Sequence, residues 1–443
     1  MSLSGIEKDK PYVYFFPIFT VATFAVFLDM VSIVLDEAIV GNMFDDTAFG
    51  ALNLLEPYSR LENFLSYLIC VGGCALIMRA HGEGDNKKMN DIFSLCISCC
   101  LIIGVLFVAV YTVFNGPLAN IVAGESEAAS SVQNLLSWDR LRLFVDPFHT
   151  FLITYVLYMG GLIFCVIALL VYISCNLGLS ILLGKFIGLG GVVLATGFSQ
   201  IFALAILCLF FLVKKPGIRP RFYLNANLTK RIVTISLPES SFLLAFGLMD
   251  AVVNAVSLRR YDIQGLVVMS VLINAFETVS YVSEGISEYE TVAMNEYLGQ
   301  GNQERFNQCI RTTIRAAIIE GLVFSTLLFI GPGTVASIFD VDDPEAFKIT
   351  VNALRFFAVV PVGICMTRIL SVFYQYTERI GRATAILILS WGLFPALLCF
   401  LLGQVSLVGL IIGFTLGLVA ILPILFVYVR IIKREKFFDY RLS

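Results

Sequence analysis

Apolar residues in this chain fall in long blocks separated by short polar loops. The two-residue alternation of a strand does not recur. About 20 apolar residues are needed to cross ~30 Å of hydrocarbon as a helix, and about twelve blocks are long enough. They lie near Tyr12–Val40, Ala51–Arg79, Ile92–Phe114, Leu141–Tyr158, Leu162–Leu183, Val192–Val213, Leu237–Ser257, Gly265–Val292, Ile310–Ile330, Phe347–Phe373, Ala383–Leu402 and Val408–Ile432. Gly160–Gly161 divides the fourth from the fifth. A membrane β-barrel would show short alternating segments instead, and none is present. The pattern predicts an all-α integral membrane protein of about 12 transmembrane helices.

Two polar loops repeat one another. His81–Asp91 reads HGEGDNKKMND and Leu298–Gln308 reads LGQGNQERFNQ, each directly after a long apolar block. LENFLSY around Glu62 returns as FETVSY around Glu277, and LRLFVDP before Pro147 returns as LRFFAVVP before Pro361, at offsets between 213 and 217. The chain is therefore read as two copies of one six-helix unit, residues 1–213 and 237–443, joined by a cytoplasmic linker at 214–236. An even number of spans per copy keeps both copies in one orientation, so the expected relation is a pseudo-two-fold axis along the membrane normal. The Gly-x-Gly loops follow no strand and precede no Gly-Lys-Ser/Thr, which excludes a phosphate cradle. They are expected to be joints: the glycine ends one helix and Asp85 or Asn302 caps the next.

Composition supports the membrane reading. Hydrophobic residues make up 58% of the chain and charged residues 14%, with mean hydropathy +0.88. With the amino terminus inside, the cytoplasmic loops and tails collect Lys8, Lys10, Arg79, Lys87, Lys88, the Lys214–Arg231 loop, Arg305, Arg311, Arg379, Arg382 and the tail from Arg430. The opposite loops hold few cations, chiefly Lys185, Arg259, Arg260 and Lys348, with Arg140 and Arg142 entering a helix, and acids such as Asp45, Asp46, Asp340, Asp342 and Asp343. Both termini are thus expected in the cytoplasm of a multi-pass plasma (inner) membrane protein. The first apolar block is too long for a cleavable signal peptide and carries Asp29 and Asp36. A net charge of −3 with no basic patch beyond what orientation needs argues against nucleic acid. The eleven cysteines, including the close set Cys96, Cys99 and Cys100, have no histidine at ligand spacing and read as small buried hydrophobes.

Charged groups inside hydrocarbon cost several kcal/mol unless paired, hydrated or neutralised, so their positions are the strongest site signal. Asp29 and Asp36 lie on one face of the first block. Glu62 in the second has its repeat counterpart at Glu277 in the eighth, which continues with Glu284 and Glu288. Asp250 and Asn254 in the seventh lie at about the position of Asp36. Arg355 and Arg368 in the tenth are the expected counter-charges. The functional reading is a substrate cavity of carboxylates that exchange protons or bind Na⁺ and attract cations, favoured for Asp36 and Asp250. The structural reading pairs some acids with Arg60, Arg355 or Arg368, and places Glu37, Glu56 and Glu239 near the interface. The 38 Phe, 17 Tyr and 10 Met would suit flat apolar substrates, although any single aromatic is better explained as lipid-facing filler.

At these residues the chain resembles a known family. LDEAIVGNMFDDTAFGALNLLEPY, from Leu35, is similar to the first-loop signature of MATE (multidrug and toxic compound extrusion) transporters of the MOP flippase superfamily. NLGLSILLGKFIGLGGVVLATGFSQ, from Asn176, resembles the fifth-to-sixth span signature of that family. The likeness covers essentially the whole chain in order. It implies an antiporter that expels organic cations in exchange for Na⁺ or H⁺, with a cation site of Asp36, Asn176 and Thr196. The family's span-five Asp is replaced here by Ser180, which removes one anionic ligand. The Arg-x-x-Gly-Asp linker after span four is shortened to Met159-Gly160-Gly161.

The resemblance leaves a second possibility, a lipid-linked saccharide or lipid flippase. Such a protein tends to carry several cavity cations for pyrophosphate and often more than twelve spans. Acids dominate here, which favours the exporter. A membrane enzyme would need a catalytic cluster at one depth, and the only histidines are His81 and His149. The expectation is a monomeric transporter of small molecules, probed by no cofactor beyond the coupling Na⁺ or H⁺, with any metal limited to Na⁺ at Asp36.

Overall fold

The computed structural model describes residues 16–25, 39–40, 43–44, 52, 54–124, 128–339 and 343–427. Among these the regular structure is helical throughout. The chain divides between Ser236 and Leu237 into two compact units. The first holds α1 (Phe16–Ala25), α2 (Glu56–Glu83), α3 (Asn86–Val113), α4 (Asn115–Ala123), α5 (Ala128–Trp138), α6 (Arg140–Tyr158), α7 (Leu162–Ile187) and α8 (Leu189–Lys214). Next come α9 (Ala226–Gln300), which begins in the first unit, then α10 (Gln303–Ile330), α11 (Pro332–Ile338), α12 (Pro344–Phe357) and α13 (Pro361–Tyr376). The last are α14 (Ile380–Leu402), α15 (Leu407–Val419) and α16 (Ile421–Val427).

Eight described helices are long and apolar enough to cross a membrane, and the pair α12–α13, bent by 49°, makes nine. Two differences from the expected twelve have physical causes. The expected span over Leu141–Tyr158 is present as α6, but Arg140, Arg142, Asp146 and His149 dilute its hydropathy. The 75 residues of α9 contain two spans, because the run breaks at Asp262 (φ 51°, ψ −150°). Ring stacking of Phe246 on Phe276 at 5.7 Å proves the reversal, since 30 residues of straight helix would separate them by ~45 Å. The expected first span falls mostly outside the described residues.

The repeated loops are the same joint built twice. Gly84 (φ 72°) and Gly301 (φ 64°) end α2 and α9 in the left-handed region that glycine enters without penalty. The backbone N–H of Asp85 then bonds back to Ala80 O and that of Asn302 to Tyr297 O, both at 3.0 Å. Asp85 and Asn302 cap the following helices, accepting from Lys88 N at 2.9 Å and Arg305 N at 3.1 Å. The copies diverge at their prolines. α6 runs through Pro147, whereas the helix stops at Phe357 and restarts at Pro361 in the second copy.

The segment 215–225 is an extended strap along α3. Backbone N–H groups of Arg219, Arg221 and Tyr223 donate to Asn90 Oδ1, Ser94 Oγ and Ser98 Oγ at 2.6, 3.3 and 2.9 Å. Two extended residues advance ~7 Å and four helical ones ~6 Å, so alternate strap residues meet every fourth helical residue. The start of α9 also packs on the first unit: the N–H of Gly72 donates to Ser236 Oγ at 2.7 Å.

Candidate functional site: buried polar clusters in both units

In the first unit α7 and α8 form a hairpin around Gly188 (φ 80°). A Cβ on Gly191 would sit 2.3 Å from Leu183 O, so the two helices can approach this closely only with glycine there. α8 crosses α6 at Gly197, where a Cβ would lie 3.0 Å from Arg142 N. These close approaches bring polar residues of three helices into one region. Asn176 and Ser180 are buried on α7, and Ser180 Oγ donates to Asn176 Oδ1 at 2.9 Å, one turn away. Thr196 is half-buried on α8. One turn further, buried Gln200 donates from Nε2 to Asp146 Oδ1 on α6 at 2.8 Å. His149, one turn beyond Asp146, stacks on Tyr172 of α7 with ring centroids 5.8 Å apart.

Beside them lies a buried ion cluster. Arg142 grips Asp139 with two bonds, Nε to Oδ1 at 2.6 Å and Nη2 to Oδ2 at 2.8 Å. Its Nη1 lies 2.8 Å from Oε2 of Glu62, whose side chain is fully buried. Glu62 was expected to meet Arg60, Arg355 or Arg368 if it were structural. Its observed partner is Arg142, which the sequence had marked only as a charge entering a helix. Arg142 reaches Glu62 because it begins α6, and Asp139 fixes its guanidinium from the preceding turn.

In the second unit polar groups gather around Arg368 of α13, which is 4% exposed. It pairs with Glu239 on the first arm of α9, and its Nη2 lies 3.5 Å from Glu284 on the second arm. Its Nε donates to Ser287 Oγ at 3.2 Å. The guanidinium lies over Phe242 and Trp391, 5.8 and 5.9 Å from the ring centroids. Trp391 donates from Nε1 to Thr367 Oγ1 at 3.0 Å, and belongs to a π turn, Leu389–Leu393, inside α14. Glu288 stands within electrostatic reach of Arg368. Arg368 is therefore an internal counter-charge as expected. Arg355 is not: it is exposed on α12. Glu239, expected near the membrane interface, is buried and paired with Arg368.

The other sequence candidates are dispersed. Asn254 Nδ2 donates to Asp250 Oδ1 at 2.9 Å, both half-buried on α9, and Glu277 is half-buried on the returning arm. Asp29, Asp36, Glu37, Asp45, Asp46, Asp340 and Asp342 lie outside the described residues, as does the side chain of Glu56. Several buried polar residues had not been singled out: Asp139, Asp146, Gln200, Glu290 and Glu320. Glu290 is fully buried beside Thr313, and Glu320 is partly buried beside Cys365. A plain scan for polar residues within each apolar block would have found all but Asp139. Cys96, Cys99 and Cys100 are buried and free, and the described residues contain no cluster of three metal-type ligands.

Residues 241–401 match the MatE family model. No curated protein matches the chain in sequence. Among solved structures it is similar to a MOP superfamily transporter from Pyrococcus furiosus, for which a binding pocket of reverse polarity is taken to suggest a different function. That match has TM-score 0.82 and 17% identity over 96% of both chains. A multidrug resistance MATE family transporter of the MOP superfamily, in its outward-facing conformation, aligns with TM-score 0.79 and 18% identity over 96% of this chain and 97% of that one. A MATE in complex with MaL6 aligns with TM-score 0.84 and 17% identity over 94% and 95%. The chain is thus a multi-pass helical membrane protein that carries a MatE domain in its second half and has the fold of the MATE transporters of the MOP superfamily.

Proposed function

We propose that the chain is a secondary active efflux transporter that exports organic cations, drugs or metabolites in exchange for Na⁺ or H⁺ by alternating access. It acts as a monomer in the plasma membrane with both termini in the cytoplasm. The observation that carries the proposal is an excess of carboxylates over cations among the buried and half-buried charged side chains of a MATE fold. Glu62, Asp139 and Asp146 accompany Arg142 in the first unit, and Glu239, Glu284, Glu288, Glu290 and Glu320 accompany Arg368 in the second. Such an interior favours cations over anions. A flippase for lipid-linked pyrophosphates would need free cationic groups, whereas Arg142 and Arg368 are both engaged by carboxylates.

Asp36, Asn176 and Thr196 are assigned to the coupling cation, with Ser180 holding Asn176. Asp29, Glu62, Asp250, Asn254, Glu277, Glu284 and Glu288 are assigned to the substrate cavity or its electrostatic support. Everted vesicles containing the protein should take up ethidium in response to a pH or Na⁺ gradient, and Asp36→Asn should abolish the uptake. Normal uptake by Asp36→Asn, together with loss in Asp250→Asn or Glu277→Gln, would move coupling to the second unit and overturn the assignment.

A further inference from the structure

We infer that Asp146 supplies, from α6, the carboxylate of a monovalent-cation site in the first unit, with Gln200 as its second ligand. The inference rests on the transporter reading for its role, but the site stands on its own geometry. α7 and α8 are antiparallel about Gly188, and residues equally far from the turn share a depth because both helices rise 1.5 Å per residue. Asn176 and Gln200 are each twelve residues from Gly188, and Ser180 and Thr196 are each eight. Ser180 stands where the resemblance leads one to expect a carboxylate, and its hydroxyl is spent on Asn176 Oδ1. The negative charge at the depth of Asn176 comes instead from Asp146, held to Gln200 across the α6–α8 crossing.

Asp146 and Gln200 are 8% and 5% exposed. Asp146 Oδ1 accepts the Gln200 amide, while Asp146 Oδ2 and Gln200 Oε1 have no hydrogen-bond partner among the described residues. Both are acceptors, so what they lack is a donor or a positive charge. No neighbouring group donates a hydrogen bond to them, although the charge of Arg142 lies within electrostatic reach of Asp146. Arg142, one turn before, directs Nε and Nη2 to Asp139 and Nη1 to Glu62. Cys100 gives its thiol to Pro147 O at 3.3 Å. His149 lies against Tyr172 with its Nε2 also without a partner, and Glu62 adds a further acid within electrostatic reach. One carboxylate with one amide oxygen matches a single positive charge, Na⁺ or a proton. Divalent ions draw on more oxygen ligands and more carboxylates.

The test is cation binding to the purified full-length protein in detergent, read without transport. One arm measures saturable ²²Na⁺ binding, and the other the infrared carboxyl band that appears on acidification. If Na⁺ is the ligand, Asp146→Asn and Gln200→Leu should each weaken ²²Na⁺ binding by about tenfold or more. If the proton is the ligand, the parent binds no ²²Na⁺ and Asp146→Asn loses an acid-dependent carboxyl band. A monodisperse elution profile checks folding. Ser180→Asp in the Asp146→Asn background should restore the lost signal by returning a carboxylate to the neighbouring turn. Asp146→Asn with parental ²²Na⁺ binding and an unchanged carboxyl band overturns the inference, as does a parent with neither signal. A parent that binds the cation but moves no dye under any gradient would instead sink the transporter reading and leave the site.

Discussion

Removal of Arg142 would strand two carboxylates. Its guanidinium holds Asp139 with two short bonds and Glu62 with a third contact, and the side chains of those acids are 6% and 0% exposed. Breaking a buried ion pair from one side costs about 3–5 kcal/mol, because the remaining charge is left uncompensated in a low-dielectric interior. Arg142→Met should therefore destabilise the first unit by about that amount. Glu62→Gln is a milder change, since Arg142 keeps both bonds to Asp139, and about 1–2 kcal/mol is expected. The double variant should cost clearly less than the sum of the two, because one of the two acids stranded by Arg142→Met has been neutralised. Reversible unfolding in mixed detergent micelles, with all three variants in a double-mutant cycle, gives these quantities. A loss below about 1 kcal/mol for Arg142→Met, or additive effects, would refute the view that these groups form one buried unit.

Other substitutions test the frame and the second cluster. Gly84→Ala and Gly301→Ala should each cost about 1–2 kcal/mol through the left-handed backbone, and near-equal losses of thermal stability would confirm that the two joints are equivalent. Gly72→Leu should release the start of α9 from the first unit, since even a Cβ there would lie 2.2 Å from Ile232 O; hydrogen exchange across residues 226–236 should rise, and unchanged protection would contradict that packing. Arg368→Gln should strand Glu239 and lower stability by about 3–5 kcal/mol. Adding Glu239→Gln should recover much of the loss, and no recovery would show that the pair is not coupled.

Much of the frame was legible because membrane spans and helix joints are written locally. The apolar blocks, the Gly-Asx joints at Gly84 and Gly301 and the turn between α6 and α7 follow from hydropathy and from what glycine permits. The reversal at Asp262 was anticipated as a gap between spans, although no glycine marks it. Site chemistry was less legible because it depends on which helices pack together. Arg142 meets Glu62 across eighty residues of chain, and Asp146 meets Gln200 across fifty-four. Neither pairing follows from repeat register: the counterpart of Arg142 is Arg355, which is exposed, and Asp146 has no acidic counterpart in the second copy. Glu239 was expected near the interface, and its pairing with Arg368, far away in the chain, is not written locally. Asp36, the residue on which the resemblance places most weight, lies outside the described residues.

Gradient-driven flux through the purified protein tests the central claim most directly. Proteoliposomes should accumulate ethidium when an outwardly directed Na⁺ or H⁺ gradient is imposed, and uptake should collapse when that gradient is dissipated by the matching ionophore. Protein-free liposomes should show neither effect. Dye movement that ignores both gradients, or no movement beyond protein-free liposomes, would contradict a cation-coupled exporter.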